Sequence, residues 1–241
     1  MISLITSFFY HHNINRMNEY IHTLKKNLKM QYIYEIHIFI TPNDHEKFKN
    51  DEEFCNNDLK NYISKIKFII SEKQPTYKDF IEFCMRSDMS NKFCMISNSD
   101  IELRNIDEKL IKDLKDKKLG YILTRHESDG SKPLIDNYKG SHDSIIFYSN
   151  NLKENFEKAD DPNLEFINIT QNNGGSEALM TWWLIKNMNF TLLNPCFQIK
   201  IVHHHASKIR DIYRTVAYTW DTKLGRGGFH NPYMIRPTTI E

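Results

Sequence analysis

The sequence predicts an α/β fold, Rossmann-related, with a mostly parallel central sheet flanked by helices, and three observations carry that reading. Apolar, β-rich runs at Met1–Tyr10, Tyr32–Ile40, Ile63–Ile70 and Phe93–Ile101 alternate with stretches whose apolar residues recur at helical spacing. Strand-helix-strand units of this kind build parallel sheets through right-handed crossovers. The Phe93–Ile101 run also stops abruptly at a carboxylate, Asp100, at the strand end where open α/β sheets bind their ligands.

The elements follow in order. Met1–Tyr10 lacks a basic leader region and a small-residue cleavage site, so it reads as the first strand. Met17, Tyr20, Ile21, Leu24 and Leu28 mark a helix, and the second strand ends at Thr41-Pro42-Asn43-Asp44. Residues 44–59 are polar and read as a loop or short helix. A third strand covers Ile63–Ile70, and Pro75-Thr76 starts a helix carrying Tyr77, Phe80, Ile81, Cys84 and Met85. Beyond Asp100 the pattern predicts a helix at Leu110, Ile111 and Leu114, a strand over Leu119–Thr124, a turn at Asp129-Gly130 and a strand over Ser144–Tyr148. A helix over Ser176–Lys186 and short strands at Phe190–Leu193 and Gln198–Val202 complete the pattern. The tail from Tyr213 contains Gly225, Gly227, Gly228, Pro232 and Pro237, and is expected to wrap the domain or close over a site as a lid.

At 241 residues the chain has the length of one large α/β domain, so a single domain over 1–241 is expected. Lys and Arg (32) nearly balance Asp and Glu (31), for a net charge of +1, which argues against nucleic acid or an acidic membrane as partner. No segment is apolar for long enough to span a bilayer. Cys55, Cys84, Cys94 and Cys196 lack CxxC spacing, and three lie within apolar patterns; reduced core thiols suggest a cytoplasmic setting.

Several residues could carry chemistry. Asp100 is a candidate metal ligand or, equally, a cap of the next turn. His203, His204 and His205 follow a strand-like run, which turns His203 and His205 to one side and His204 to the other, and imidazole is a good ligand for manganese or zinc. The chain lacks HExxH, which disfavours a zinc hydrolase. Glu177 opens a helix after Gly174-Gly175; on the residues alone a general base and a partner of the helix dipole stand level. Asp143 is the competing carboxylate. Arg125 and Arg210 are candidates for phosphate or carboxylate binding, or plain surface ion pairs.

The ordered set Asn98-Ser99-Asp100-Ile101, Thr124-Arg125, Ser141-His142-Asp143-Ser144-Ile145-Ile146-Phe147, Gly174-Gly175-Ser176-Glu177 and His203-His204-His205-Ala206-Ser207-Lys208-Ile209-Arg210 resembles glycosyltransferases of the GT-A fold. It is similar to their family-two-like group, with an N-S-D-I variant of the DxD element and an H-x-H-x-S-x-x-R terminus. The resemblance covers nearly the whole chain. It implies a metal-assisted glycosyltransferase moving a sugar from a nucleotide-diphosphate donor (a UDP- or GDP-sugar) to a hydroxyl on a glycan, polysaccharide or glycoconjugate, with inversion the favoured course. It makes Asp100 a ligand of Mn2+ or Mg2+ with His203 or His205, Asn98 a contact to the ribose or the metal's waters, and Glu177 the base, with Asp143 its rival. Thr6, Ser7 and Asn13 after the first strand, and Thr41 to Asp44 after the second, would then meet the nucleotide. Residues 1–101 become a nucleotide-binding half, 102–212 an acceptor and metal half, and 213–241 the tail. Asn98 in place of an acid keeps alive a noncatalytic nucleotide- or carbohydrate-binding protein of the same fold. A nucleotidyltransferase is the other alternative, although Ser7–Asn15 has none of the Gly or Lys of a phosphate loop.

Overall fold

The computed structural model describes residues 1–52, 61–115, 118–128, 142–207, 209 and 235–240. Arg210, the turn at Asp129-Gly130, Cys55 and the tail from 213 to 234 lie outside the described residues.

In chain order the elements are β1 (Ile2–Ser7), α1 (Ile14–Lys29), β2 (Ile33–Ile40), α2 (Pro42–Lys49), β3 (Ile66–Ile70), α3 (Tyr77–Cys84), β4 (Phe93–Ser97), β5 (Ile101–Asn105), α4 (Glu108–Asp113), β6 (Leu119–Leu123), β7 (His126–Glu127), β8 (Ser144–Tyr148), α5 (Ser149–Lys158), α6 (Ser176–Lys186), β9 (Thr191–Leu193) and β10 (Lys200–His203). Helix starts follow local chemistry. Asn13 caps α1 and Thr41 caps α2, with Pro42 in its first turn. Thr76 and Asp79 form a reciprocal capping box at α3. Ile63–Lys65 is a 3-10 turn, so the strand expected there is shorter, starting at Ile66.

Seven strands form one sheet in the order β3-β2-β1-β4-β8-β6-β9, and β5-β10-β7 form a second, smaller one. Within the large sheet only β8 runs against its neighbours, β4 and β6. That reversal matters for the site. Ser144, at the start of β8, pairs with Ser97 at the end of β4 and with Leu123 at the end of β6, so the residue before β8 joins the carboxyl edge of the parallel strands.

Side-chain alternation splits the core between the two faces of the sheet. Phe93 and Met95 of β4 pack with Met17, Ile21, Leu24 and Leu28 of α1, whereas Cys94 and Ile96 pack with Phe80 and Ile81 of α3 and Trp183 of α6. The chain then turns from β4 through Asn98, Ser99 and Asp100 into β5, which α1 fastens in place. Asn27, buried on α1, donates from Nδ2 to Ile101 O (2.9 Å) and accepts from Leu103 N at Oδ1 (2.9 Å). At the far end of the chain, residues 235–240 return to the domain. Asn194 Nδ2 donates to Ile235 O (2.8 Å), Thr238 N donates to Asn194 O (2.8 Å), and the Gln198 amide pairs with both backbone groups of Ile240.

Among the described residues no helix is long and apolar enough to cross a membrane. The Asn27 tether supplies a test. Asn27→Leu leaves two buried backbone groups of β5 without partners and should lower the unfolding free energy by about 2–4 kcal/mol, measured by urea denaturation with an unchanged slope.

Candidate active site

The β5–β10 register assembles the first half of the site. His203 lies opposite Ile101, and His204 N donates to Asp100 O (2.9 Å), so the chain after β10 runs beside the Asp100 turn. Asp100 and His203 are both buried, at 6% and 5% exposure. His203 Nε2 stands 3.1 Å and His205 Nδ1 3.6 Å from Asp100 Oδ2, and the two rings stack with centroids 5.0 Å apart. One potential ligand atom from each of the three residues lies within 4.8 Å of the others. His204 faces away, with Nε2 2.6 Å from Glu102 Oε2 and its ring against His22.

The sequence reading missed the partner that comes closest to Asp100. Arg16, in the first turn of α1, places Nη2 2.6 Å from Asp100 Oδ2, while its Nη1 lies 2.7 Å from Glu19 Oε2. Burial by itself would push the Asp100 carboxyl up; the hydrogen bonds from His203 and His205, with the charges of His203 and Arg16, hold it well below the usual carboxylate range. Burial would likewise lower His203, yet the bond to Asp100 and the charge of that carboxylate raise it.

The second half grows from the edge that β8 and β6 share with β4. Asp143 precedes β8, Arg125 follows β6, and Asn98 follows β4. Arg125 Nη1 stands 3.1 Å from Asp143 Oδ1, and Asn98 Nδ2 donates to that same oxygen at 3.4 Å. Glu177 enters beside it from the start of α6, and the Asn98 amide helps to hold its carboxyl down. Gly175 caps that helix at φ 88°, a left-handed conformation natural to glycine, and thereby turns the chain so that Glu177 meets the sheet edge. Burial, then repulsion by Asp143, pushes the Glu177 carboxyl up to about 7, against the pull of its own N–H, Arg125 and Asn98.

Glu127 of β7 joins the two halves. Its Oε2 lies 3.3 Å from His203 Nδ1 and its Oε1 3.0 Å from Arg125 Nε, because β7 pairs alongside β10 with His203 opposite Glu127. A continuous polar chain thus runs from Arg16 through Asp100, His203, Glu127, Arg125, Asp143 and Asn98 to Glu177. Two buried atoms of the site lack hydrogen-bond partners among the described residues: Asn98 Oδ1 on this chain and His205 Nε2 beside it. Such atoms are costly to bury alone and mark places where a ligand would complete the bonding.

The remaining sequence candidates are placed as follows. Thr6 and Ser7 are buried at the end of β1 and, with Asn98 and Ser99, line a small cavity of about 10 Å³; Ser99 Oγ donates to Ser7 O (2.7 Å). Asn13 and Thr41 serve as helix caps, and Asp44 pairs with Lys47 in α2, so these contacts are local to their helices. Besides Arg16, the sequence reading missed Glu19, which sits within the first helix it expected, and Glu127, between the strand ending at Thr124 and the turn at Asp129-Gly130.

Neither a protein-family model nor a curated protein matches the chain. Among solved structures, GalNAc-T7, crystallised with UDP, GalNAc and Mn2+, is 12% identical and aligns over 93% of this chain and 47% of its own, with a TM-score of 0.55. TarS 1-349 from S. aureus in complex with UDP is 12% identical over 83% of this chain and 59% of that one, with a TM-score of 0.48. The 4-diphosphocytidyl-2C-methyl-D-erythritol synthase of Anaerococcus prevotii DSM 20548 is 15% identical over 88% of this chain and 91% of that one, with a TM-score of 0.47. At these identities a likeness speaks to the fold alone. The GalNAc-T7 alignment shows the α/β glycosyltransferase-like fold that the motifs anticipate, and this chain spans about half of that structure.

The Glu177 carboxyl should titrate near 7 by 13C NMR, and Asp143→Asn should move it down by removing a like charge. Because the folded-state value lies above the ordinary 4.5, the folded protein binds the extra proton, and stability should fall as pH rises from about 4.5 to about 7. Glu177→Gln should flatten that decline in a series of urea melts.

Proposed function

We propose that the chain is a glycosyltransferase that moves a sugar from a nucleotide-diphosphate donor to a hydroxyl acceptor with inversion. The observation that carries this reading is the polar chain with a carboxyl poised near 7, Glu177, at one end and the Asp100, His203 and His205 cluster at the other. The likeness in fold to GalNAc-T7, a structure holding UDP, GalNAc and Mn2+, supports the same donor class.

The cluster suits a divalent cation on its donor chemistry. One carboxylate and two imidazoles form a set favoured by manganese over magnesium, and Glu127 behind His203 resembles the carboxylates that orient metal-bound histidines. With the imidazoles neutral, Arg16 and Arg125 face Asp100, Glu19, Glu127 and Asp143, which leaves two negative charges in excess among these described residues. Asp100, His203 and His205 would hold the ion, which when bound supplies positive charge against a departing diphosphate.

Glu177 takes the proton of the acceptor hydroxyl on a carboxylate oxygen, for which a value near 7 is well matched. The acceptor oxygen then bonds to the anomeric carbon, the bond from that carbon to the diphosphate oxygen breaks, and the diphosphate leaves with the electron pair. Asp143, fixed by Arg125 and Asn98, orients acceptor hydroxyls, and Asn98 Oδ1 is open to a donor hydroxyl. Residues 1–101 then serve the nucleotide and 102–212 the acceptor and the ion, within one domain. The free thiols of Cys84, Cys94 and Cys196 are all buried, which suits a reducing, cytoplasmic compartment.

A panel of UDP- and GDP-sugars, assayed for transfer and hydrolysis with Mn2+, tests the reading. Glu177→Gln should keep donor binding and lose roughly 10²-fold or more in turnover. If Asp143→Asn causes that loss and Glu177→Gln does not, the two carboxylates exchange roles. A product of retained configuration argues against either base, and binding without turnover of any donor indicates a noncatalytic protein.

A further inference from the structure

We propose that Arg16 gates cation binding: its guanidinium holds Asp100 Oδ2 in the cation-free state, yields that oxygen to a divalent cation, and remains on Glu19. The inference rests on the cation part of the reading above.

Three nitrogen groups converge on one oxygen. Arg16 Nη2 is 2.6 Å, His203 Nε2 3.1 Å and His205 Nδ1 3.6 Å from Asp100 Oδ2. The same oxygen is the one nearest both rings, so an ion held by all three residues through it meets the guanidinium there. A fixed positive charge at 2.6 Å also repels the incoming ion. Departure from Asp100 does not strand the arginine, because a second anchorage is already made. Arg16 Nη1 lies 2.7 Å from Glu19 Oε2, and its guanidinium carbon stacks 4.5 Å from the Tyr20 ring centroid. Rotation about this anchorage frees Oδ2 while the buried charge keeps a carboxylate partner.

Glu19 extends the effect along the chain. It accepts from Ser207 N (2.6 Å) and Ser207 Oγ (3.1 Å), two residues beyond His205. Arg16 therefore stands between the cation ligands and the carboxylate that fastens the segment following them. A guanidinium drawn wholly to Glu19 competes with Ser207 for the same oxygens, so loading of the ion reaches the Ser207 contact.

Titration of the full-length, nucleotide-free chain with Mn2+ alone, by calorimetry, tests the proposal. Arg16→Gln should bind Mn2+ at least about tenfold more tightly than the wild type, the scale of one charge-assisted hydrogen bond removed from the competing state. Arg16→Lys, too short to bridge Asp100 and Glu19 together, should fall between the two. Equal or weaker Mn2+ binding by Arg16→Gln, with a native circular dichroism spectrum, overturns the gate; should that variant not fold, Arg16→Lys decides by the same criterion. The transferase reading fails on a different measurement, the donor panel, which leaves these isotherms unaffected.

Discussion

A carboxylate taken almost wholly out of water sits at the centre of this molecule, and much of the architecture around it can be read as the means of keeping Asp100 charged. An unpaired buried carboxylate would cost several kcal/mol, and loss of one partner from a buried pair commonly costs about 3–5 kcal/mol. The chain meets that demand with three residues from two distant places: Arg16 on the first helix, and His203 and His205 at and just beyond the end of the last strand. Each needs its own support. Asn27 fastens β5 to α1, the β5–β10 pairing sets the histidines opposite the turn, and Glu19 fixes both Arg16 and Ser207.

The other half of the site depends on the direction of one strand. Were β8 parallel to its neighbours, Asp143 would open it at the far edge of the sheet, well away from Asn98 and Arg125. Because β8 enters antiparallel, its first residue pairs with the last residues of β4 and β6, and three segments far apart in sequence place polar groups on one edge. Glu177 then arrives on a helix whose left-handed glycine cap directs the turn. Its carboxyl is raised by burial first and by the charge of Asp143 second.

Local chemistry made many of these elements legible in the sequence. The helix over Ser176–Lys186, the helix start at Pro75-Thr76 and the strand at Ser144–Tyr148 agree with the structure, because propensity and pattern decide them within a few residues. Strand alternation likewise separates His203 and His205 from His204, as found. What the sequence concealed is nonlocal. Arg16 stands between Asn15 and Met17 on an amphipathic helix, where an arginine ordinarily belongs to the wet face, and its burial follows from β5 and the histidines closing over it. Glu127 lies on a strand of two residues, too short for any periodicity, and gains its place by pairing with β10. The helix α5 and strand β5 were also unread. The run read as one strand, Phe93–Ile101, ends at Ser97, and Ile101 opens β5, since three residues of turn between two strands leave little punctuation.

The two halves are coupled by their charges as well as by position. His203 spends one nitrogen on Asp100 and the other on Glu127, so any change in charge at the first carboxylate alters how firmly the ring bonds the second. Glu127 shares Arg125 with Asp143, and Asp143 is the neighbour whose charge raises Glu177. Asp100 and Glu177 thus stand at opposite ends of one run of ion pairs, in which Asp143 is both the partner of Arg125 and the neighbour whose charge adds to the effect of burial on Glu177.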